Sequence, residues 1–246
     1  MINNSGKVAA IFGVRNEESI AYDVAVKLHQ SGCKIALSYV EDTRDEVLYL
    51  LEKLGLDTNL AMQVDVRDEA QISSFLHAVY ETHGPIDYVL HGVAFANTKV
   101  LCSNFLGSKE PIPAYIDIPF EDLMDSFNIS AYSLLRIARV AESMLQKNAS
   151  ILTLTYNAAN RVIPQYGGMA INKAALENIM LYLASYFRNK LVRVNAISAG
   201  LSDSICSKKL AGKGVIDAGK YKPPSGAKPS NKACSKLTCR AGLFKL

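Results

Sequence analysis

Nowhere in this 246-residue sequence is there an apolar run of the roughly 20 residues that a membrane-spanning helix needs. The amino terminus, Met-Ile-Asn-Asn-Ser-Gly-Lys, lacks the basic start and long apolar centre of a secretory signal, so a cytoplasmic location is the default expectation. The five cysteines form no CxxC or Cys/His pattern; free thiols in a reducing compartment are expected, and no metal site. Excess positive charge is also missing from most of the chain. The first 200 residues hold 17 basic and 21 acidic groups, which gives no sign of nucleic-acid binding, while residues 201–246 hold ten Lys or Arg against two Asp.

What the chain does have is apolar content, 49%, enough for one large core and a single principal domain. Over the first 200 residues, short apolar runs alternate with amphipathic segments. The runs predict strands at Val8–Phe12, Lys34–Tyr39, Leu60–Val64, Tyr88–His91, Ser150–Thr155 and Arg193–Ile197. Helical spacing lies between them near Ser19–Ser31, Thr43–Leu54, Asp68–Thr82, Phe120–Leu145 and Tyr166–Arg188, with Ser19 and Asp68 placed to cap. Strands separated by helices pair in parallel through right-handed crossovers, so the fold class is α/β, a Rossmann-type doubly wound parallel sheet. Strand order 3-2-1-4-5-6 puts ligands at the carboxyl ends of the strands, near the switch between the first and fourth.

Two stretches break this rhythm. Phe95–Pro119 is long and carries Pro111, Pro113 and Pro119; it is either a surface excursion or the border of a substrate cleft. After Gly200 the periodicity stops in a Gly/Pro/Lys-rich stretch with no legible seventh strand. Residues 201–246 are therefore expected to form a poorly ordered basic tail, or a carboxyl end altered by a reading-frame change.

The turn after the first strand is not GxGxxG, since Gly13 is its only glycine. A glycine still allows the sharp turn a pyrophosphate requires, and the N–H groups opening the next helix, with the Ser19 hydroxyl, can donate to phosphate oxygens. The second strand ends in Val40-Glu41-Asp42, acidic residues that favour a free ribose 2′-hydroxyl and hence NAD, although Arg44 could meet a phosphate. Asp65-Val66 closes the third strand, where adenine would lie, and His91-Gly92-Val93-Ala94 closes the fourth. His91 reads as a packed strand-end histidine. Further on, Tyr166 and Lys173 are seven residues apart, almost two helical turns, so both project from one face, with Tyr156 ten residues upstream. A cation beside a phenol favours the phenolate, which suits the tyrosine to proton donation and to stabilising developing negative charge.

In this order, Gly13-x5-Ser19-Ile20-Ala21, Asp65-Val66, Phe95-Ala96, Asn128-Ile-Ser130, Leu154-Thr-Tyr156, Tyr166-x2-Met169-x3-Lys173 and Arg193-Val-Asn-Ala-Ile-Ser-Ala-Gly200 resemble the NADH-dependent enoyl-[acyl-carrier-protein] reductases, within the short-chain dehydrogenase/reductases. The Tyr-x6-Lys spacing, in place of Tyr-x3-Lys, carries the subgroup. The resemblance covers roughly residues 5–200 and implies a reductase domain over 1–200. It also implies hydride transfer from NADH to a trans-2-enoyl thioester in fatty-acid elongation. Tyr156, Tyr166 and Lys173 would be catalytic, and Ala96 would border the substrate. Gly13, Ser19, Ile20, Val40, Asp65, Val66, Val93 and Lys173 would contact the cofactor, joined by Ser202 and Ser204. The implied partner is acyl carrier protein bearing the enoyl group, and the implied assembly is a homotetramer.

The sequence departs from that pattern in places. Tyr-Leu-Gly becomes Tyr156-Asn157-Ala158, and Tyr-Asn-x-Met-Gly-x-Ala-Lys becomes Tyr166-Gly-Gly-Met-Ala-Ile-Asn-Lys173. The two glycines weaken a helix start by roughly 1 kcal/mol each relative to alanine. Asn172 either hydrogen-bonds Lys173 or crowds the ribose. Two alternatives stand beside the enoyl-reductase reading: a short-chain reductase acting on keto or hydroxy groups, and a catalytically impaired nucleotide-binding relative.

Overall fold

The computed structural model describes residues 3–101, 113–163 and 166–199. Ser202, Ser204, the expected tail and the place of a seventh strand lie outside the described residues.

Among the described residues, six parallel strands form one sheet in the order β3-β2-β1-β4-β5-β6. They are β1 Val8–Phe12, β2 Lys34–Tyr39, β3 Ala61–Gln63, β4 Ile86–His91, β5 Leu145–Thr155 and β6 Arg193–Ser198. The helices are α1 Ile20–Gln30, α2 Arg44–Lys53, α3 Glu69–His83, α4 Phe120–Phe127, α5 Ser133–Ala141 and α6 Gly167–Tyr186. Because side chains alternate across a strand, β1 feeds two cores. Val8, Ala10 and Phe12 face the layer that includes Phe75 of α3, Leu134 of α5 and Leu176 of α6. Ala9 and Ile11 face Val24 of α1 and Leu50 of α2. All five β1 residues are buried, which is why the strand reads as an unbroken apolar run.

Three local departures from the sequence expectation have physical causes. Leu60 sits in a 3₁₀ turn rather than in β3, because the Asp57 side chain accepts from Asn59 N–H and starts the turn. The predicted helix Phe120–Leu145 is two helices joined by a π-helical turn, Asn128–Tyr132. There Ser133 Oγ donates to the Ile129 carbonyl at 2.6 Å, a side-chain competitor for the backbone ladder. Ser19 occupies the cap position of α1 but does not cap it; its hydroxyl donates back to the Asn16 carbonyl at 2.6 Å. Asp68 does cap α3, accepting from Ala70 and Gln71 N–H.

Gly168, a weakness when judged by helix propensity, is required by packing. A Cβ there would lie 2.5 Å from Val100 Cγ1 and 2.7 Å from the Val100 carbonyl oxygen. Val100 is fully buried and its N–H is held by the Asn97 carbonyl, so it has little room to yield. Gly168→Ala is expected to destabilise the protein by about 1–3 kcal/mol despite gaining helix propensity. A melting temperature equal to or above that of the unaltered chain would contradict this.

Candidate active site

Parallel strands bring all their carboxyl ends to one edge of the sheet, and that edge collects Gly13, Val40, Asp65, Val66, Val93 and Tyr156. At the β1/β4 switch the two chain ends nearly touch. Gly13 has φ +93°, and a Cβ on it would stand 2.3 Å from the Gly92 carbonyl oxygen. A Cβ on Gly92 would lie 2.8 Å from the Phe12 carbonyl and 3.0 Å from Ala21 Cβ. Among the described residues no side chain caps the first turn of α1; Tyr22 N–H turns to the Ser19 carbonyl at 3.0 Å, and the N–H groups of Ile20 and Ala21 are left for an outside acceptor. Backbone this bare beside a helix N-terminus fits a dinucleotide pyrophosphate.

Around that point the charges are arranged in pairs. Arg15 of the Gly13 turn donates to Asp42 at the end of β2 at 2.7 Å, and Arg44 pairs with Asp45 at 3.4 Å. Both arginines near the ribose position are thus met by carboxylates, in keeping with a 2′-hydroxyl rather than a 2′-phosphate. Arg67 grips Asp65 through Nε and Nη2, the latter at 2.7 Å, and this holds the Asp65 carboxyl below its usual range. The Val66 carbonyl accepts from Arg136 Nη1 at 2.6 Å, and the same guanidinium donates to Asn128 Oδ1 at 2.9 Å and lies over the Tyr132 ring. Neither arginine was picked out in the sequence, where no apolar or glycine signal marks them.

The Tyr/Lys elements meet at the end of β5. Tyr156 and Tyr166 rings lie edge to face with centroids 5.1 Å apart. Lys173 is buried, and its Nζ donates to the Leu154 carbonyl at 2.8 Å. Tyr166 stands at the cap of α6 rather than inside the helix as its spacing from Lys173 suggests. Glu177, one turn beyond Lys173, accepts from Thr155 Oγ1 at 2.7 Å and from Asn160 Nδ2 at 3.0 Å, tying both sides of Tyr156 to α6. Asn172 contacts neither the Lys173 amine nor the open edge; it donates to Ser126 Oγ at 2.6 Å. Ala96 follows Phe95, whose N–H and carbonyl are both held by Ser130 Oγ at 2.9 Å.

The chain matches the profile of the enoyl-(acyl carrier protein) reductases over residues 13–234. It belongs to that family. The match runs beyond residue 200, further than the resemblance read from the sequence. This reductase is 37% identical over 214 residues to the enoyl-[acyl-carrier-protein] reductase [NADH] FabI of a Synechocystis species, covering 86% of the present chain and 79% of the relative. Among solved structures it resembles the Anaplasma phagocytophilum reductase in complex with NAD at 36% identity, TM-score 0.71, over 80% of this chain and 72% of that one. FabI from Candidatus Liberibacter asiaticus superposes with TM-score 0.83 at 27% identity, over 97% and 89%. The matches favour the enoyl-reductase reading over the keto or hydroxy alternative.

Beneath Lys173 in this reductase lies His91, fully buried as its place at a strand end suggests. Ser133 spends its proton on Ile129, so it accepts from His91 Nε2–H at 2.7 Å, and Nδ1 accepts from Thr153 Oγ1–H at 2.8 Å. Burial, reinforced by the Lys173 cation, pulls the imidazole down to about 3. His91 is therefore neutral at working pH, and the folded state loses stability as pH falls from about 6.5, where the unfolded histidine begins to bind its proton, towards 3. At pH 5 the loss is on the order of 2 kcal/mol. His91→Gln is expected to flatten the decline in melting temperature between pH 7 and 5; an unchanged slope would exclude His91 as its source.

Proposed function

We propose that the chain reduces the trans-2 double bond of enoyl-[acyl-carrier-protein] with NADH, and that Tyr156, Tyr166 and Lys173 carry the reaction. The carrying observation is the pair of phenols 5.1 Å apart beside a buried lysine amine anchored on the Leu154 carbonyl. NADH when bound supplies a hydride to C3 of the enoyl group. Gly13, Ser19, Ile20, Val40, Asp65, Val66 and Val93 would hold the dinucleotide along the carboxyl edge of the sheet. Ser202 and Ser204 are proposed on sequence alone.

Electron density displaced from the double bond collects on the thioester oxygen, where the Tyr166 hydroxyl donates a hydrogen bond that strengthens as charge develops. Lys173 supplies positive charge nearby and donors for the ribose hydroxyls. Tyr156 packs edge-on against Tyr166, limits its ring to one orientation and lines the entrance to the acyl pocket with Ala96. A proton then adds to C2, and the saturated thioester is released.

The same reading includes a homotetramer, supported by the exposed apolar residues Leu181, Tyr182 and Tyr186 on α6. It also includes a cytoplasmic location, where NADH and carrier-bound thioesters are solutes. Loss of NADH absorbance on addition of crotonyl-coenzyme A, with one butyryl product per NADH consumed, is the test. Tight NADH binding without turnover would instead favour the impaired relative, and turnover of acetoacetyl-coenzyme A alone would favour a keto reductase.

A further inference from the structure

Asn172 occupies a position where the family pattern given above has alanine, and it is fully buried. Its Nδ2 donates to Ser126 Oγ at 2.6 Å, and that hydroxyl donates to the Phe95 carbonyl at 2.9 Å. Its own Oδ1 is buried with no hydrogen-bond partner among the described residues. A buried amide left half satisfied is a net burden on folding, so stability does not account for it.

We infer that Asn172 is a positioning residue for the thioester substrate, acting through Ser126 on the Phe95–Ala96 backbone. The inference rests on the function proposed above. A helical serine hydroxyl has several staggered orientations and readily turns to a carbonyl of its own helix. Met169 Sδ, 3.5 Å from Ser126 Oγ, offers a further acceptor. The Asn172 N–H occupies a lone pair of that oxygen and so directs the Ser126 proton towards Phe95. The residue before Lys173 thereby ties the helix bearing the amine to the segment that would border the acyl group. Of the proposed nucleotide contacts, Gly13, Val40 and Asp65 belong to other strand ends, whereas Val93 and Lys173 lie beside the two ends of the link in sequence, which is why NADH affinity is read together with KM.

The test is steady-state reduction of crotonyl-coenzyme A, alongside NADH affinity by fluorescence titration, for the unaltered full chain, Asn172→Ala, Ser126→Ala and the double variant. Each single change is expected to raise the thioester KM about fivefold or more while NADH affinity stays within twofold. The double variant should be no worse than either single one, because both remove the same link. If Asn172→Ala does not fold, Ser126→Ala alone carries the KM comparison. An unchanged KM, a parallel loss of NADH affinity, or multiplying effects in the double variant would each overturn the inference while turnover by the unaltered chain preserved the functional reading. No turnover by the unaltered chain would overturn both.

Discussion

Lys173→Met is expected to lower kcat/KM for NADH-driven reduction of crotonyl-coenzyme A by about 100- to 1000-fold, in line with losing one preorganised charged donor from a water-poor site. Methionine approximates the lysine stem in volume, so packing around this buried position is largely kept, while the charge and the bond to the Leu154 carbonyl are lost. The protein should still fold, since removing an ammonium from the interior offsets the loss of its hydrogen bond to the Leu154 carbonyl. NADH affinity should fall about tenfold, as the ribose loses its donors. The same change removes a cation that helps keep His91 uncharged, so the acid side of the stability curve should become less steep. Steady-state kinetics, NADH titration and melting curves at pH 5 and 7 check all of this on one variant. Rate and NADH affinity both within threefold of the unaltered chain would remove Lys173 from the proposed chemistry.

Gly13→Ala should have the other large effect. Its φ of +93° is strained for any L side chain, and the new methyl would stand 2.3 Å from the Gly92 carbonyl oxygen. That carbonyl has little freedom to retreat, because Gly92 N–H is bonded to the Phe12 carbonyl at 2.9 Å. Strain and overlap together are expected to cost about 3 kcal/mol of stability. NADH binding should weaken at least about 100-fold, because the turn must open where the pyrophosphate would rest. Gly55→Ala is the control: φ is +68° with nothing within 4 Å of the new Cβ, so only the backbone term of about 1 kcal/mol applies and NADH binding is untouched. Equal losses of NADH affinity in the two variants would show that the close approach at the switch is irrelevant.

The ends of β1 are legible in the sequence because a dense apolar run lies between Lys7 and Gly13, and β2 is legible as a shorter run opening at Lys34. Sheet order is legible too, since alternation of strand and helix leaves few ways to wind a parallel sheet. What escapes is whatever depends on contacts distant in sequence. Gly168 looks like a poor helix residue until Val100 is seen against it. Asn172 faces Ser126 rather than Lys173 because adjacent helical residues diverge by about 100°. The π-helical turn leaves the apolar spacing of 120–141 almost intact, so periodicity passes over it. Ser126 and Ser130, four residues apart on one helix face, were a readable hint that something polar is gripped there.

Asp125 and Ser126 are consecutive on α4 and serve opposite ends of the proposed site. Asp125 takes Arg67 Nη1 at 3.2 Å, on the side where Asp65 and Val66 end β3, while Ser126 reaches the Phe95 carbonyl. This short rod is thus a yoke joined to both ends, and adding or deleting one residue within it would throw both joints out of phase at once. The length of α4 is therefore expected to stay fixed while the sequence around it diversifies.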